Sequence, residues 1–329
     1  MAKFPKMIIA VSAAISITAG LYVATARADT YPSKPIRVVV PYAAGGATDI
    51  LARTIAEKLR QQLGQPLVIE NKPGANTNIG AVSVARADPD GYTLLFANDA
   101  TFTANPALNP SVPYDMLRDF APVAPVAYLN LALVVSNNVP VKDMAEFSRW
   151  AKNNSGKIAY GSYGMGSQAH IMGEMFNKLE KVEVTHVPYK GSAPATTAVA
   201  SGEVAFSFPS LISAKGFIQG GRVRVLAISG DQRSPLLPNV PTFAEAGFKD
   251  IDIGAWYAFF APKGTPDAVV SKFNQAMHSV LSDKQFVEQQ LTQQGMRPID
   301  GTPKDLGAML QRESVKMKRI VQISGAKLE

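Results

Sequence analysis

The sequence predicts an α/β fold with mixed, mostly parallel sheets flanked by helices. Short apolar segments rich in β-branched residues alternate with segments of helical periodicity, which is the pattern of strands joined by helices. Two strand–turn–helix units, near residues 36–59 and 158–176, follow one plan more than a hundred residues apart. We therefore expect two halves of the chain that close on one ligand.

The first unit combines a buried strand with a turn of small residues. Residues 36–40 are mostly β-branched and read as a parallel strand, which Pro41 ends. Residues 43–47 contain two glycines, so the backbone can turn tightly, and Thr48 or Asp49 can cap the next helix. The N–H groups at that helix start predict an anion site for a carboxylate or phosphate. An ordinary strand–helix turn is the alternative.

The second unit repeats this plan at residues 161–167, which contain three glycines and two serines. Ser167 is the predicted N-cap of a helix with apolar residues at 171, 172, 175 and 176. His170 follows this turn directly and either contacts a carboxylate or packs at the helix start.

A third strand, residues 92–97, places residues 98–101 at the edge of the sheet. Ligands of parallel sheets bind beyond the carboxyl ends of the strands, so we expect this segment beside Gly45 and Gly46. The long apolar stretch 126–135 is predicted to leave the first domain and enter a second one. The helical segments after residue 267 are expected to pack back on the first domain.

The N-terminus has the pattern of a cleavable signal peptide. Lys3 and Lys6 precede an apolar run, and Ala26 and Ala28 form an A-x-A site, which predicts residues 1–28 as the leader and a periplasmic mature chain. A retained membrane anchor is the alternative. The 329-residue chain has no cysteine, which excludes disulfides, thiol catalysis and a lipid-bearing cysteine. Without the leader, +4 of the net charge of +7 remains, with no basic cluster for nucleic acid.

Several ordered motifs resemble the Bug, or tripartite tricarboxylate transporter receptor (TctC-like), family of periplasmic solute-binding proteins. They are YPSKPIRVVVPYAAGGATDILAR, VIENKPGA, ADPDGYTLLF, YDMLRDFAPV, GSYGMGSQAH, VPYKGSAPA, GRVRVLAIS, LLPNVPTFAEAGF and APKGTP. The resemblance implies a two-lobed periplasmic binding protein fold of type II, a Venus flytrap. It implies lobe 1 from residues 29–131 and 254–329, and lobe 2 from residues 132–253.

The resemblance also implies that the two turns hold a ligand carboxylate, largely through backbone groups and ordered water. The expected ligand-binding residues are Tyr42, Ala44, Gly45, Gly46, Thr48, Asp49, Asn98, Ala100, Thr101, Ser162, Tyr163, Gly164, Met165, Gly166, Ser167, His170, Phe208 and Pro209.

Two departures from the family pattern bear on the ligand. Ala205 and Pro209 stand where family members often have acidic residues, which disfavours an amino-acid ligand. Tyr163 is unusual in its turn, and with Met165 and Phe208 it can form an apolar wall for a flat or aromatic acid. The alternative directs Tyr163 to solvent and Phe208 to the core.

The expected function is capture of a small di- or tricarboxylate or an aromatic acid for a tripartite transporter. The chain lacks Gly-x-Ser-x-Gly, Gly-x-Gly-x-x-Gly, a P-loop and a His pair at helical spacing, so we expect no catalytic residue, no metal and no cofactor. We expect a monomer whose partners are the ligand and inner-membrane transporter subunits. A sensor without a transporter, an enzyme acting on a carboxylate, and an envelope-interaction protein with an empty cleft are the alternatives.

Overall fold

A computed structural model describes residues 31–251 and 253–327, which form two β-sheets flanked by helices. The prediction of mixed α/β sheets is confirmed. The predicted signal peptide, residues 1–28, lies outside the described residues.

The larger sheet has six strands in the order β11-β4-β10-β3-β1-β2. These strands are β1 Ile36–Val40, β2 Leu67–Asn71, β3 Thr93–Asn98, β4 Phe120–Leu129, β10 Ala255–Pro262 and β11 Met296–Pro298. Strand β1 is parallel to β2 and β3, whereas β10 runs antiparallel to β3 and β4. The apolar sequence of β1 fits its buried position between β3 and the edge strand β2.

The smaller sheet has five strands in the order β7-β6-β8-β5-β9. They are β5 Ala132–Ser136, β6 Ile158–Ser162, β7 Val184–Pro188, β8 Phe206–Ser207 and β9 Val223–Ile228. Strand β6 is parallel to β7 and β8, and β5 is antiparallel to β8 and β9. The long stretch predicted as a connection is thus divided between β4 and β5.

The described residues contain ten α-helices. They are α1 Ala47–Leu63, α2 Asn78–Ala85, α3 Asn105–Leu108, α4 Met144–Asn153, α5 Gln168–Glu180, α6 Ser192–Ser201, α7 Leu211–Gln219, α8 Asp267–Ser282, α9 Lys284–Gln290 and α10 Pro303–Ser324. A π-helical turn, Ala100–Ala104, precedes α3.

Two segments cross between the sheets and are hydrogen-bonded to each other. The first lies between β4 and β5, and the second leads from Ser229 to β10. Leu131 N–H donates to Ser229 Oγ at 2.8 Å, and Ser229 N–H donates to the Leu131 carbonyl at 2.7 Å. The Asn130 amide also donates to the Ser229 carbonyl. The crossings therefore form one narrow joint.

Helix α10 packs on both halves of the chain. Leu306 and Leu310, near its start, lie in a core cluster of the six-stranded sheet. Met317 and Ile320, further along, lie in the core of the five-stranded sheet with Phe147 and Phe176. The expectation that the C-terminal helices pack back on the first domain holds for the start of α10, and its later apolar residues also contribute to the core of the five-stranded sheet.

Candidate ligand site between the two sheets

The first turn presents an uncapped helix start. Residues 43–47 are exposed, so Ala44, Gly45 and Gly46 are all at the surface, and Gly45 has a φ of +80°. Gly46 is the N-cap of α1 and supplies no side chain to it. The first N–H groups of a helix have no acceptor within the helix. The N–H groups at this helix start are therefore not capped by a side chain, and anion binding here stays a prediction.

Asp49 holds this turn in shape. Its carboxylate is buried and accepts hydrogen bonds from Gly45 N–H at 2.8 Å, Asn71 Nδ2 at 3.0 Å and Arg53 Nε at 3.0 Å. Burial acts to raise the pKa of Asp49, but these hydrogen bonds outweigh it and hold the pKa below its usual range. Asp49 was predicted to bind the ligand, but both of its carboxylate oxygens already accept hydrogen bonds from residues of the protein.

The segment after β3 lies beside the first turn. Asn98 Oδ1 accepts hydrogen bonds from the Tyr42 hydroxyl at 2.5 Å and from Ala100 N–H at 3.2 Å. Thr101 is buried, and its carbonyl accepts from Tyr114 at 2.6 Å. The structure thus brings the predicted residues of the first two segments together.

The second turn is closed by its own serines. Ser162 Oγ accepts from Gly164 N–H at 3.1 Å, and Ser167 Oγ donates to the Gly164 carbonyl at 2.6 Å. Ser167 also caps α5 by accepting from His170 N–H at 3.3 Å, as predicted. Gly164 and Gly166 have φ values of +128° and +72°, which explains the glycines.

His170 packs inside the helix start. Its Nδ1 accepts from Gly166 N–H at 3.0 Å, and its ring stacks on His186 with centroids 4.3 Å apart. Burial lowers the pKa of His170. Burial, with a smaller contribution from His170, lowers the pKa of His186 to about 4. His170 was expected either to contact a carboxylate or to pack at the helix start, and this geometry matches packing at the helix start.

Three side chains join the two sheets across the site. The Tyr163 hydroxyl donates to Gln168 Oε1 at 2.8 Å, and Gln168 Nε2 donates to Asp99 Oδ2 at 2.7 Å. Asp99 follows β3 and Gln168 begins α5, so the last bond connects the two halves of the chain. The sequence placed Asp99 on the ligand-facing rim but not among the site residues. Gln168 was missed, although it follows the predicted N-cap directly.

Tyr257 is a third residue that sequence reasoning missed. It pairs with Asn98 across β10 and β3, and its hydroxyl interacts with Thr48. Burial, with the field of Asp99, raises the pKa of Tyr257 to about 12. Because Tyr257 lies within an otherwise mostly apolar strand, its sequence context predicts a core residue and not a polar contact.

The predicted apolar wall is not assembled. Phe208 is 0% exposed and packs against Phe206 and Phe243 in the core. Met165 is 43% exposed, while the Tyr163 ring packs partly against the core. Pro209 is buried, and its carbonyl accepts from the N–H of Ala132. Phe208 is therefore corrected to a core residue, and Tyr163 contributes a polar link instead of a wall.

A cavity of about 270 Å³ lies between the two halves next to the first turn. Its lining includes Ala47 and Tyr257 on one side and Ile212 of α7 on the other. A larger groove of about 540 Å³ runs along α10 between Met175 and Ile323. None of the predicted site residues line either space, but the smaller cavity adjoins the uncapped helix start through Ala47.

The profile described as the tripartite tricarboxylate transporter family receptor matches residues 51–326. The chain belongs to this family. Protein BugT of Bordetella pertussis, a relative of this receptor, is 35% identical over 317 residues, which cover 94% of this chain and 97% of BugT.

Two solved structures of other proteins are similar to this chain over most of its length. One, from Rhodopseudomonas palustris with adipate, is 32% identical with a TM-score of 0.80, covering 90% of this chain and 99% of that one. The other, MatC of the same organism with bound malate, is 35% identical with a TM-score of 0.75, covering 88% of this chain and 100% of that one. The predicted periplasmic binding protein fold is confirmed.

Proposed function

We propose that this receptor captures a small organic carboxylate in the periplasm and delivers it to a tripartite tricarboxylate-type transporter. The uncapped N-terminus of α1 at Gly46 carries the proposal, since its unpaired N–H groups and helix dipole attract an anion. The cavity beside this turn and the dicarboxylates bound by the two solved relatives support it.

Residues 29–131 and 254–329 would form one lobe, and residues 132–253 the other. The membership of the two sheets supports this division. The two hydrogen-bonded crossings near Leu131 and Ser229 are suited to act as the hinge, because few residues need to change their backbone angles there.

Capture proceeds by closure of the lobes around the bound acid. The ligand carboxylate binds the N–H groups of the first turn. The second turn, which precedes α5, then closes on the ligand from the other lobe. The ligand favours the closed arrangement by the contacts it makes only there. Hydrogen bonds such as that from Gln168 to Asp99 add to the same arrangement.

A transport role is favoured over catalysis. The side chains at the site are engaged in shaping turns: Asp49 binds its own loop and His170 binds Gly166 N–H, so neither is placed as a general base. In the described part of the chain, no group of three His, Cys, Asp or Glu side chains could hold a metal. Within the same residues, no helix is long and apolar enough to cross a membrane.

Native mass spectrometry of the protein purified gently from periplasm tests the proposal. We expect a bound molecule of low mass with one or two carboxylates. A thermal-shift screen of linear and aromatic acids follows, in which a ligand raises the melting temperature. The proposal fails if no acid in a broad panel changes the melting temperature. Turnover of a bound acid would instead favour an enzyme.

A further inference from the structure

The carboxyl group of Asp99 is buried where the two halves of the chain meet, and no described basic side chain acts on it. The residue is 1% exposed, and its Oδ2 accepts the single hydrogen bond from Gln168. Its Oδ1 has no hydrogen bond of normal geometry. The N–H groups of Trp256 and of Asp99 itself are near enough to lower the pKa slightly, but they bring no positive charge.

The groups around Asp99 do not supply the missing cation. Burial raises the pKa of Asp99 to about 7, and the negative field of Glu313 adds to the rise. Burial raises the pKa values of Tyr42, Tyr163 and Tyr257, and the negative field of Asp99 adds to each rise. None of the described groups that act on this carboxyl is a lysine or arginine.

The site is therefore bipolar. The N-terminus of α1 at Gly46 is its positive pole, and Asp99 is its negative pole. Tyr257 lies between the two poles, because its hydroxyl interacts with Thr48 of α1 and its pKa is raised in part by the charge of Asp99. A plain dicarboxylate would place a second negative charge near a buried carboxylate, whereas a molecule with both charges would match both poles.

We propose that Asp99 receives the ammonium group of the ligand, so that the captured acid is an aminocarboxylate. This inference rests on the proposed function. The ligand carboxylate binds at the start of α1, and its amine donates to Oδ1 of Asp99, the oxygen that lacks a partner. Such a hydrogen bond between opposite charges is stronger than a neutral one.

Asp99 supplies the acidic group that is absent at positions 205 and 209. Family members often have acidic residues at the positions of Ala205 and Pro209 in this chain. In the folded chain, Asp99 enters the site from the other half, after β3. The amino-acid class of ligand is thereby favoured, contrary to the expectation from Pro209.

The experiment compares acids that differ by one amine: succinate with aspartate, glutarate with glutamate, and adipate with 2-aminoadipate. Isothermal titration calorimetry of the mature protein at pH 7.5 gives the affinity for each of these acids. We expect the amine to tighten binding at least ten-fold in the best-fitting pair. Asp99→Asn should abolish that preference, whereas Asp88→Asn, at an exposed loop position, should preserve it.

Proton exchange gives a second readout. When an ammonium binds beside Asp99, the pKa of the carboxyl falls, so wild-type protein should release a fraction of a proton near pH 7. Titration in two buffers of different ionisation enthalpy measures this release, and Asp99→Asn should eliminate it. Proton uptake with the plain acids would show instead that a protonated Asp99 donates to a second ligand carboxylate.

The outcomes separate this inference from the proposed function. If plain acids bind and their amino counterparts bind no better, the ammonium assignment is wrong and the carboxylate receptor stands. If no acid of either kind binds, the proposed function itself is wrong. Asparagine matches aspartate in shape and removes a buried charge, so the variant should fold. Asp99→Ser provides the same comparison if the asparagine variant does not.

Discussion

At the scale of single residues, Asp49 ties the first turn to its surroundings. A buried carboxylate that accepts from Gly45, Arg53 and Asn71 contributes more than a neutral hydrogen bond would. We expect Asp49→Ala to lower the free energy of unfolding by about 2–3 kcal/mol, because three donors lose their acceptor.

Urea denaturation at pH 7 measures this change. Asp88→Ala serves as the control, since Asp88 is exposed, and it should stay within about 0.5 kcal/mol of wild type. An Asp49→Ala variant as stable as wild type would show that the turn holds its shape without the carboxylate.

The stacked pair His170 and His186 makes stability depend on pH. In the fold, burial lowers the pKa of His186 from 6.5 to about 4, so the unfolded chain binds more protons between those values. Stability is therefore expected to fall as the pH drops from 6.5 to 4. His186 is only partly buried, so its share is about 1 kcal/mol after allowance for solvent.

His186→Phe retains a ring for stacking and removes the titration. Denaturation curves at pH 7, 5.5 and 4.5 should show a weaker loss of stability for this variant than for wild type. The exposed neighbour Thr185 offers a control, because Thr185→Ala should leave the slope unchanged. An equally steep slope in His186→Phe would assign the pH dependence to other groups.

Residue identity alone does not show which side chains meet. The two glycine-containing turns and the Ser167 cap were predictable because they are local signals, whereas Thr48 or Asp49 was expected to cap α1 and Gly46 does. The contacts of Asp99 with Gln168 and of Tyr257 with Thr48 join distant parts of the chain. Phe208 was misassigned for the same reason: an aromatic residue after a strand fits a wall or a core equally well in sequence.

At the scale of elements, the start of α1 is the proposed site of carboxylate binding. Gly46 has φ −75° and ψ 165°, which any residue can adopt, and a Cβ there would lie 3.4 Å from the Ala43 carbonyl. In Gly46→Asp, the new carboxylate would cap the helix and occupy the anion site. We expect stability to rise by a few tenths of a kcal/mol and carboxylate affinity to fall at least ten-fold.

Calorimetric titration and thermal unfolding of the same samples measure the two effects. Gly46→Asn is the matched control, because it caps the helix without a negative charge and should lose less affinity. Unchanged binding in Gly46→Asp would move the carboxylate site away from α1.

At the scale of the whole molecule, Gly254 lies where the second crossing enters β10. A Cβ at this position would lie 1.5 Å from the Tyr128 hydroxyl oxygen, so Gly254→Ala must displace the Tyr128 ring. We expect a loss of about 1–3 kcal/mol in the free energy of unfolding, together with a changed angle between the lobes and weaker ligand binding.

Small-angle scattering with and without ligand, combined with urea denaturation, tests this expectation. Gly216→Ala is the control: its Cβ meets nothing within 4 Å, so it should stabilise α7 slightly. A Gly254→Ala protein with wild-type stability and scattering would mean that the Tyr128 ring moves aside without cost.

The overall architecture was largely predictable, because alternating strands and helices with parallel pairing leave few topologies. The antiparallel position of β10 between β3 and β4 follows from chain reversals that local patterns do not encode. Helix α10 shows the same limit. Its apolar residues predicted burial, but not that they would be divided between two cores.

Because of that division, the five-stranded half does not carry its complete core as an isolated fragment. All strands of the five-stranded sheet lie within residues 132–253. The core of this sheet, however, also includes Met317, Ile320 and Ala326 from the end of the chain. An excised 132–253 segment would expose the surface that these side chains cover. A synthetic peptide of residues 303–327, added in trans, should therefore raise its melting temperature, and a peptide with Met317 and Ile320 replaced by serine should not.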